Sequence, residues 1–132
     1  MEENIKHKHT GEDAPKVKHE DLDGSPFFPM LVQSGITALA GGGQAGAVQI
    51  VKPIVEISVC ATAQDSVLLP PIIIGTQILI INHGAESCDV FPYTGQMINE
   101  AAVNTAKTLA ANASLLCSSW DGTNWECLTL AR

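Results

Sequence analysis

The residues of this chain that could perform chemistry are few and poorly grouped. The four cysteines, at positions 60, 88, 117 and 127, form no C-x-x-C pair, the spacing that zinc sites and redox motifs use. His83 lies in an Asn-His-Gly turn, and a Cys/His hydrolase would have to pair it with Cys88 or another cysteine. No nucleophile-elbow sequence accompanies these residues. We therefore expect no enzymatic activity, no metal and no other cofactor.

Two further motifs suggest ligands but have simpler interpretations. Gly41-x-Gly43-x-x-Gly46 matches the dinucleotide fingerprint in form, yet Pro53 and a β-branched run follow where that motif needs a helix. We interpret this stretch as a glycine-rich hinge. His7-Lys8-His9 lies among many charged residues, and we interpret it as part of a solvated tail.

One disulfide is conceivable between Cys117 and Cys127, which flank a predicted hairpin loop at Asp121–Asn124. If Trp120 faces Trp125, Cys127 lies opposite Ser118 and the two sulfur atoms are on opposite faces of the sheet. A bridge would then require a bulge or a register shift of one residue.

Most of the chain after residue 47 is predicted to form short strands. They are rich in Val, Ile and Leu and are bounded by Pro, Gly, Asp and His turns. The predicted strands are Ile54–Ala61, Ser66–Leu69, Gln77–Asn82, Asp89–Phe91, Ser114–Ser119 and Trp125–Leu130. Residues 99–113 are rich in alanine but also contain Val, Thr and Asn, which favours loop and strand over helix. The regular spacing predicts an all-β fold, a compact antiparallel β-sandwich.

Charge divides the chain into three segments. Residues 1–24 hold 11 of the 21 charged side chains, residues 25–47 hold none, and residues 48–132 hold ten. The first segment has too little apolar content to order itself and is predicted to be an extended arm. In the second, Pro26 and Pro29 bracket Phe27 and Phe28, whose rings either cap the chain's own core or insert into a partner's groove. The third is the predicted β-domain.

The overall charge limits the classes of partner. A net charge of −7 argues against nucleic acid, because duplex binding depends on Lys and Arg that neutralise phosphates. The sequence shows neither an apolar run long enough for a membrane span nor a secretory leader. Residues 48–132 carry fewer than half of the charges expected at ~25 % of positions. Such a neutral surface favours closed self-association, and a homotrimer is our first expectation.

The order of residues after position 44 forms a spaced pattern. Its members are Asp65-Ser66-Val67-Leu68-Leu69-Pro70, Gly75, Ile80-Ile81-Asn82-His83-Gly84, Val90-Phe91-Pro92, Gly95, Ile98-Asn99, Leu109-Ala110-Ala111 and Trp120-Asp121-Gly122-Thr123-Asn124-Trp125. This pattern resembles a β-domain of virion proteins from tailed bacteriophages, among them capsid decoration (cement) proteins and fibre proteins. That family typically has a glycine after the Ile-Asn pair, where this chain has Glu100.

The resemblance implies a trimeric, jelly-roll-like sandwich without catalytic residues, located on the virion exterior and assembled in the host cytoplasm. It also implies that the arm binds the major capsid protein and reinforces the head. The capsid-docking residues are then the apolar Phe27, Phe28, Met30 and Leu31 and the basic Lys6, Lys8, Lys16 and Lys18.

The alternative is a receptor- or glycan-binding module of a fibre or spike. Trp120, Tyr93 or Trp125 would then stack on a sugar face. Trp120 and Trp125 flank the predicted hairpin, so cross-strand packing between their rings is a simpler interpretation.

Overall fold

The computed structural model describes residues 29–131, which form ten β-strands and no helix. No helix that could span a membrane is found in this part of the chain. The strands are β1 (Val32–Thr37), β2 (Val48–Gln49), β3 (Ile54–Val59), β4 (Asp65–Leu68), β5 (Gln77–Asn82), β6 (Cys88–Phe91), β7 (Met97–Ile98), β8 (Lys107–Leu109), β9 (Ser114–Ser119) and β10 (Asn124–Leu130).

The strands build two sheets that the chain visits alternately. Sheet A has the order β1-β3-β5-β9-β10-β7, and sheet B has the order β2-β4-β6-β8. Strands β1, β3 and β5 are parallel neighbours in sheet A, as β2, β4 and β6 are in sheet B. Each turn of chain therefore contributes one strand to each sheet, and the fold is a parallel-rich β-solenoid of about four turns.

The predicted antiparallel jelly-roll sandwich is wrong, although the all-β class is confirmed. Parallel neighbours need a long crossover connection, and here the strand of the opposite sheet supplies it: β4 lies between β3 and β5. Short apolar strands with turn residues at their ends look the same in both architectures. Their composition does not encode the direction of pairing.

The last turn reverses direction and closes the solenoid. β8 is antiparallel to β6, and β9 is antiparallel to β5. β10 then forms a hairpin with β9 and pairs in parallel with the two-residue strand β7. The C-terminal part of the fold thus covers the edge that β5 and β6 would otherwise expose.

The core lies between the two sheets and consists of the side chains that point inward from each turn. They alternate with outward-facing residues, as in Gln77–Asn82 and Ser114–Ser119. Fully buried members include Val55, Ile57, Ile80, Leu115 and Trp125 from sheet A and Val67, Val90 and Leu109 from sheet B.

Two buried polar side chains hold the bends between the sheets. The Asn82 amide donates to the carbonyl oxygens of Glu86, Leu109 and Ala110, and its oxygen accepts the Gly84 N–H. Asp65 accepts the N–H groups of Gly41, Ala61 and Thr62 at 3.0–3.1 Å. These bonds satisfy backbone groups that no strand pairs.

The six predicted strands are all present, within two residues at each end. The absence of a helix from residues 99–113 is also confirmed. Strands β1, β2 and β7 were not predicted, whereas β8 lies within residues 99–113, which were predicted to be loop and strand. β1 lies inside the segment 25–47 and pairs with β3 over its length.

The hairpin register predicted from Trp120 and Trp125 is wrong by one residue. Trp125 pairs with Ser119, and Cys127 lies directly opposite Cys117. The cause is the loop: the Asp121 carboxylate accepts the N–H groups of Thr123 and Asn124, so Trp120 belongs to the turn. The two cysteines share one face and form a disulfide without a bulge.

The stretch interpreted as a glycine-rich hinge is packed against the first and second turns. Gly41 donates its N–H to Asp65, and the Gly43 carbonyl accepts the Ser66 hydroxyl. A Cβ on Gly42, where φ is +72°, would overlap the carbonyl of Gln64. Glycine is required there by a close backbone approach.

Candidate interaction surface

The outer face of sheet A is apolar over its centre. β3, β5, β9 and β10 present twelve outward side chains, and half of these are aliphatic. The aliphatic residues are Ile54, Leu79, Ile81, Leu116, Leu128 and Leu130. We call this set, with Val32 of β1, the outer apolar face.

Strand register aligns five of these residues in one row. Val32 pairs with Ile54, Ile54 with Leu79, Leu79 with Leu116, and Leu116 with Leu128. Paired residues project on the same side of a sheet, so the row crosses five strands without interruption. Its ends are open to solvent: Leu128 is 62 % exposed and Val32 is 50 % exposed.

The two charged residues among the twelve outward side chains are Glu56 and Glu126, and both are already hydrogen-bonded. Glu56 accepts the Gly35 N–H at 2.8 Å and the Ser58 hydroxyl, and it lies 3.2 Å from Nδ1 of His83. These bonds, the Gly35 N–H first, hold the Glu56 pKa below its ordinary value. Glu126 accepts the Asn124 amide at 2.7 Å. The surface along the central row of this face is therefore aliphatic, with polar side chains on either side of it.

A second apolar surface lies at one end of the solenoid, where loops 50–53, 69–76 and 120–123 meet. The Gly75 N–H donates to the Ser119 carbonyl, and the Ser119 hydroxyl donates to the Ile73 carbonyl. Lys52 and Asp121 are the charged residues of these loops. We call this surface the loop end; its exposed side chains are Met30, Leu31, Val51, Ile73, Ile74 and Trp120.

Of the predicted capsid-docking residues, the structure describes two. Met30 and Leu31 are 54 % and 66 % exposed and belong to the loop end. Phe27, Phe28, Lys6, Lys8, Lys16 and Lys18 lie outside the described residues, as do the histidines of the predicted arm.

The aromatic residues considered for sugar stacking differ in exposure. Trp125 is completely buried and cannot reach a ligand, whereas Trp120 is 69 % exposed on the hairpin loop. Tyr93 is 39 % exposed in a different loop. The predicted packing of Trp120 against Trp125 is therefore wrong, because one ring is in the core and the other in solvent.

Among the potentially reactive groups, the Cys60 and Cys88 side chains contact each other. His83 contacts Glu56 on the solvent side of the sheet, whereas Cys88 is fully buried. Burial raises the pKa of the Cys60 and Cys88 thiols, which disfavours the nucleophilic thiolate. Within residues 29–131, no three His, Cys, Asp or Glu side chains are grouped to hold a metal ion.

Sequence reasoning did not identify the outer apolar face, although one signal was available. Residues 78–81 form an uninterrupted aliphatic run, Ile-Leu-Ile-Ile. In a strand with water on one side, apolar and polar residues normally alternate, and a continuous apolar run indicates a strand with apolar contacts on both sides.

No family model, no curated protein and no solved structure matches this chain.

Proposed function

We propose that this protein is a homotrimeric structural protein of a virion, which binds the outside of a phage head and reinforces contacts between major capsid proteins. The outer apolar face is the observation that carries the proposal. Monomeric soluble proteins rarely expose continuous apolar patches of this kind, and larger ones mark interaction sites. The role is that of a binding protein, and it requires no catalytic group.

Self-association is the first part of the proposal. The aliphatic row at the centre of this face has the apolar composition of the buried core of a homo-oligomer interface. Because identical copies carry identical faces, a closed ring buries all of them at once. Three copies is the number that the phage resemblance implies.

Head binding is the second part, and it rests on the N-terminal segment. Residues 1–24 carry Lys6, Lys8, Lys16 and Lys18 among seven acidic residues. A trimer would present three such segments together, and linked sites gain affinity through their effective concentration. Leu31, near the start of the described residues, follows this segment in the sequence and is exposed.

The self-association claim is tested by light scattering on the full chain and on Leu128→Gln. We expect a mass near three times 13.9 kDa for the natural chain. The variant is expected to dissociate at concentrations at least 10-fold higher, since burying one leucine contributes ~1.5–3 kcal/mol. Thr129→Gln is the control, because Thr129 is exposed on the same strand but lies outside the row. A 13.9 kDa species at all concentrations contradicts the claim.

The head-binding claim is tested by co-sedimentation with empty heads assembled from the major capsid protein encoded in the same genome. The full chain is expected to sediment with the heads, and a chain lacking residues 1–24 is expected to remain in the supernatant. The truncated chain must keep the solution mass of the full chain for the comparison to hold. Equal binding by both chains would contradict the claim that residues 1–24 bind the head.

A glycan-binding fibre module is the second candidate, and the exposure of Trp120 is the observation that favours it. An exposed indole can stack on a sugar ring. However, the Asp121 carboxylate beside it is occupied by backbone N–H groups of the hairpin, so the loop offers one ring and few free polar groups. Binding on a glycan array that disappears in Trp120→Ala would select this candidate.

A further inference from the structure

Two cysteines of the folded body take no part in the disulfide of the last hairpin. Cys60 and Cys88 carry free thiols, and both side chains are buried in the core between the sheets. The proposed function uses neither of them. The path of the chain nevertheless brings the two thiols together.

The cysteines lie at stacked bends of two successive turns of the solenoid. β3 is followed by the bend 60–64, which begins with Cys60 and leads to β4. One turn later, β5 is followed by the bend 83–87, and Cys88 is the first residue of β6. Because β3 pairs in parallel with β5 and β4 with β6, the two bends lie against each other.

Backbone contacts hold these two bends close together. The Cys60 carbonyl accepts the Glu86 N–H at 3.0 Å, and the Ser87 carbonyl accepts the Gln64 N–H at 3.1 Å. A Cβ on Gly84 would overlap Cys60, so glycine is required there by the close approach of the two segments. The backbones that carry the two cysteines are therefore fixed beside one another.

The two thiols are in contact across this junction. The Cys60 S–H donates to the Ser87 carbonyl at 3.1 Å, beside the peptide bond that leads to Cys88. The Cys60 and Cys88 side chains also hydrogen-bond to each other. A disulfide requires backbones that approach closely and side chains that point towards each other. The stacked bends provide the first condition and the thiol contact provides the second.

We propose that Cys60 and Cys88 are the site of a second disulfide, which joins two successive turns of the solenoid and stabilises the fold. The Cys117–Cys127 bridge joins two strands of the last turn. A Cys60–Cys88 bridge would tie the end of β3 in sheet A to the start of β6 in sheet B. The inference concerns contacts within one chain and rests neither on self-association nor on head binding.

The oxidant is a small disulfide, RS–SR. One cysteine, as its thiolate, attacks a sulfur atom of RS–SR, and the departing RS⁻ takes up the proton that the cysteine lost. The second cysteine attacks the mixed disulfide in the same way and releases the second RSH. Two protein S–H bonds and the reagent S–S bond are thus replaced by one protein S–S bond and two RSH. Because burial raises the pKa of both thiols, the exchange is slow in the folded chain.

The test is oxidation of the folded full chain with 2-hydroxyethyl disulfide until the products no longer change. The starting material has only the Cys117–Cys127 disulfide, and the products are cleaved after glutamate and identified by mass spectrometry. Each cysteine then lies on a different peptide, because glutamates separate successive cysteines, at Glu86, Glu100 and Glu126. We expect a cross-link between peptides 57–86 and 87–100. Unchanged thiols, or a mixed disulfide that does not react further, would overturn the proposal.

The unfolded chain provides a control for the choice of partner. Cys60 and Cys88 are 28 residues apart, and Cys88 and Cys117 are 29 apart, so loop closure favours the two pairs about equally without structure. The fully reduced chain, oxidised in concentrated urea, should give both cross-links in comparable amounts. The same chain, oxidised after removal of the urea, should give the Cys60–Cys88 cross-link and not the other. Comparable amounts of both in the folded chain would overturn the proposal.

The stability of the cross-linked chain tests the structural role of the bridge. Closing a loop of this length should lower the unfolding equilibrium constant on the order of 100-fold, measured in urea. Cys88→Ser is the matched control: it cannot form the bridge, so the reagent should not stabilise it. A cross-linked chain no more stable than its thiol form, or equal stabilisation of the variant, would overturn the proposal. If the variant does not fold, the peptide map of the natural chain decides.

Discussion

Glu100 adopts a backbone conformation that favours glycine. Its φ is +59°, and it follows Asn99, whose φ is +53°. The left-handed region costs a residue with a side chain ~1–2 kcal/mol, a cost that glycine does not carry. The observed dihedral angle therefore favours glycine over glutamate at this position.

Replacing Glu100 by glycine is expected to stabilise the protein by about 1 kcal/mol. Within residues 29–131, the exposed Glu100 side chain makes no hydrogen bond. The backbone N–H of residue 100, which donates to Asn124, is retained in the glycine variant. Urea unfolding, monitored by circular dichroism, measures the difference in unfolding free energy. Glu86→Gly is the control: Glu86 is also exposed but has no positive φ, so the added chain entropy should lower stability. A loss of stability in both variants would contradict the explanation.

Asp65 makes the fold sensitive to acid. Its carboxylate accepts three backbone N–H groups, and these bonds, that from Thr62 first, lower its pKa below 3.8. A lowered pKa in the folded state adds stability that is complete above the unfolded pKa and is lost as the pH falls through the folded pKa. Stability should therefore decrease as the pH falls from about 5 towards 2.

The Asp65→Asn variant checks this assignment. It should be less stable than the natural chain at pH 7, because an amide NH₂ would face N–H donors, and its stability should change less between pH 5 and pH 3. Unfolding midpoints in urea at both pH values measure the difference. Glu56 and Asp121 also have lowered pKa values, so some pH dependence should remain. An unchanged pH dependence would exclude Asp65 as a contributor.

At the scale of elements, the sequence predicted where strands lie but not how they pair. Short runs rich in Val, Ile and Leu, with Pro, Gly, Asp and His turns at their ends, located six strands, because strand propensity and turn chemistry are local properties. Parallel pairing is not local: Asp65 pairs with Cys88, 23 residues later. The short strands β2 and β7 have two residues each, too few for any periodic signal.

The β9–β10 hairpin gives the last turn of the solenoid a covalent link. The disulfide between Cys117 and Cys127 closes a loop with a sequence separation of 10. Because the disulfide constrains the unfolded chain, it raises the unfolding free energy by about 2–3 kcal/mol. Reduction is therefore expected to lower the unfolding free energy by about that amount, measured in urea with and without a phosphine reductant.

Thiol counting provides the control for the disulfide. The oxidised chain, alkylated in denaturant, should gain two labels, at Cys60 and Cys88, and the reduced chain four. The Cys117→Ser/Cys127→Ser double variant should reproduce the stability of the reduced chain. If the reductant lowers its stability further, the loss has another source.

At the scale of the whole molecule, the interaction surfaces arise from register and were only partly predictable. The shortage of charge after residue 47 predicts a neutral body that associates, which stays a prediction. Met30 and Leu31 were predicted as apolar anchors, and the structure shows that both side chains are exposed. The row from Val32 to Leu128 could not be predicted, since it requires the alignment of five strands that are distant in sequence. Each strand contributes one residue whose outward position is ordinary by itself.

The two parts of the proposed function should respond to salt in opposite directions. Each copy carries a net charge of −7, so association of copies through an aliphatic face is opposed by repulsion that salt screens. Head binding through the charged arm relies on ion pairs, which salt weakens. Between 0.05 and 0.5 M NaCl, about a threefold shortening of the screening length, we expect the trimer fraction to rise and the fraction bound to heads to fall. Light scattering and co-sedimentation on the same samples measure both, with Leu128→Gln as the control for the apolar contact. A trimer that dissociates with added salt would mean that charged residues hold the copies together, and the outer apolar face would lose its assigned role.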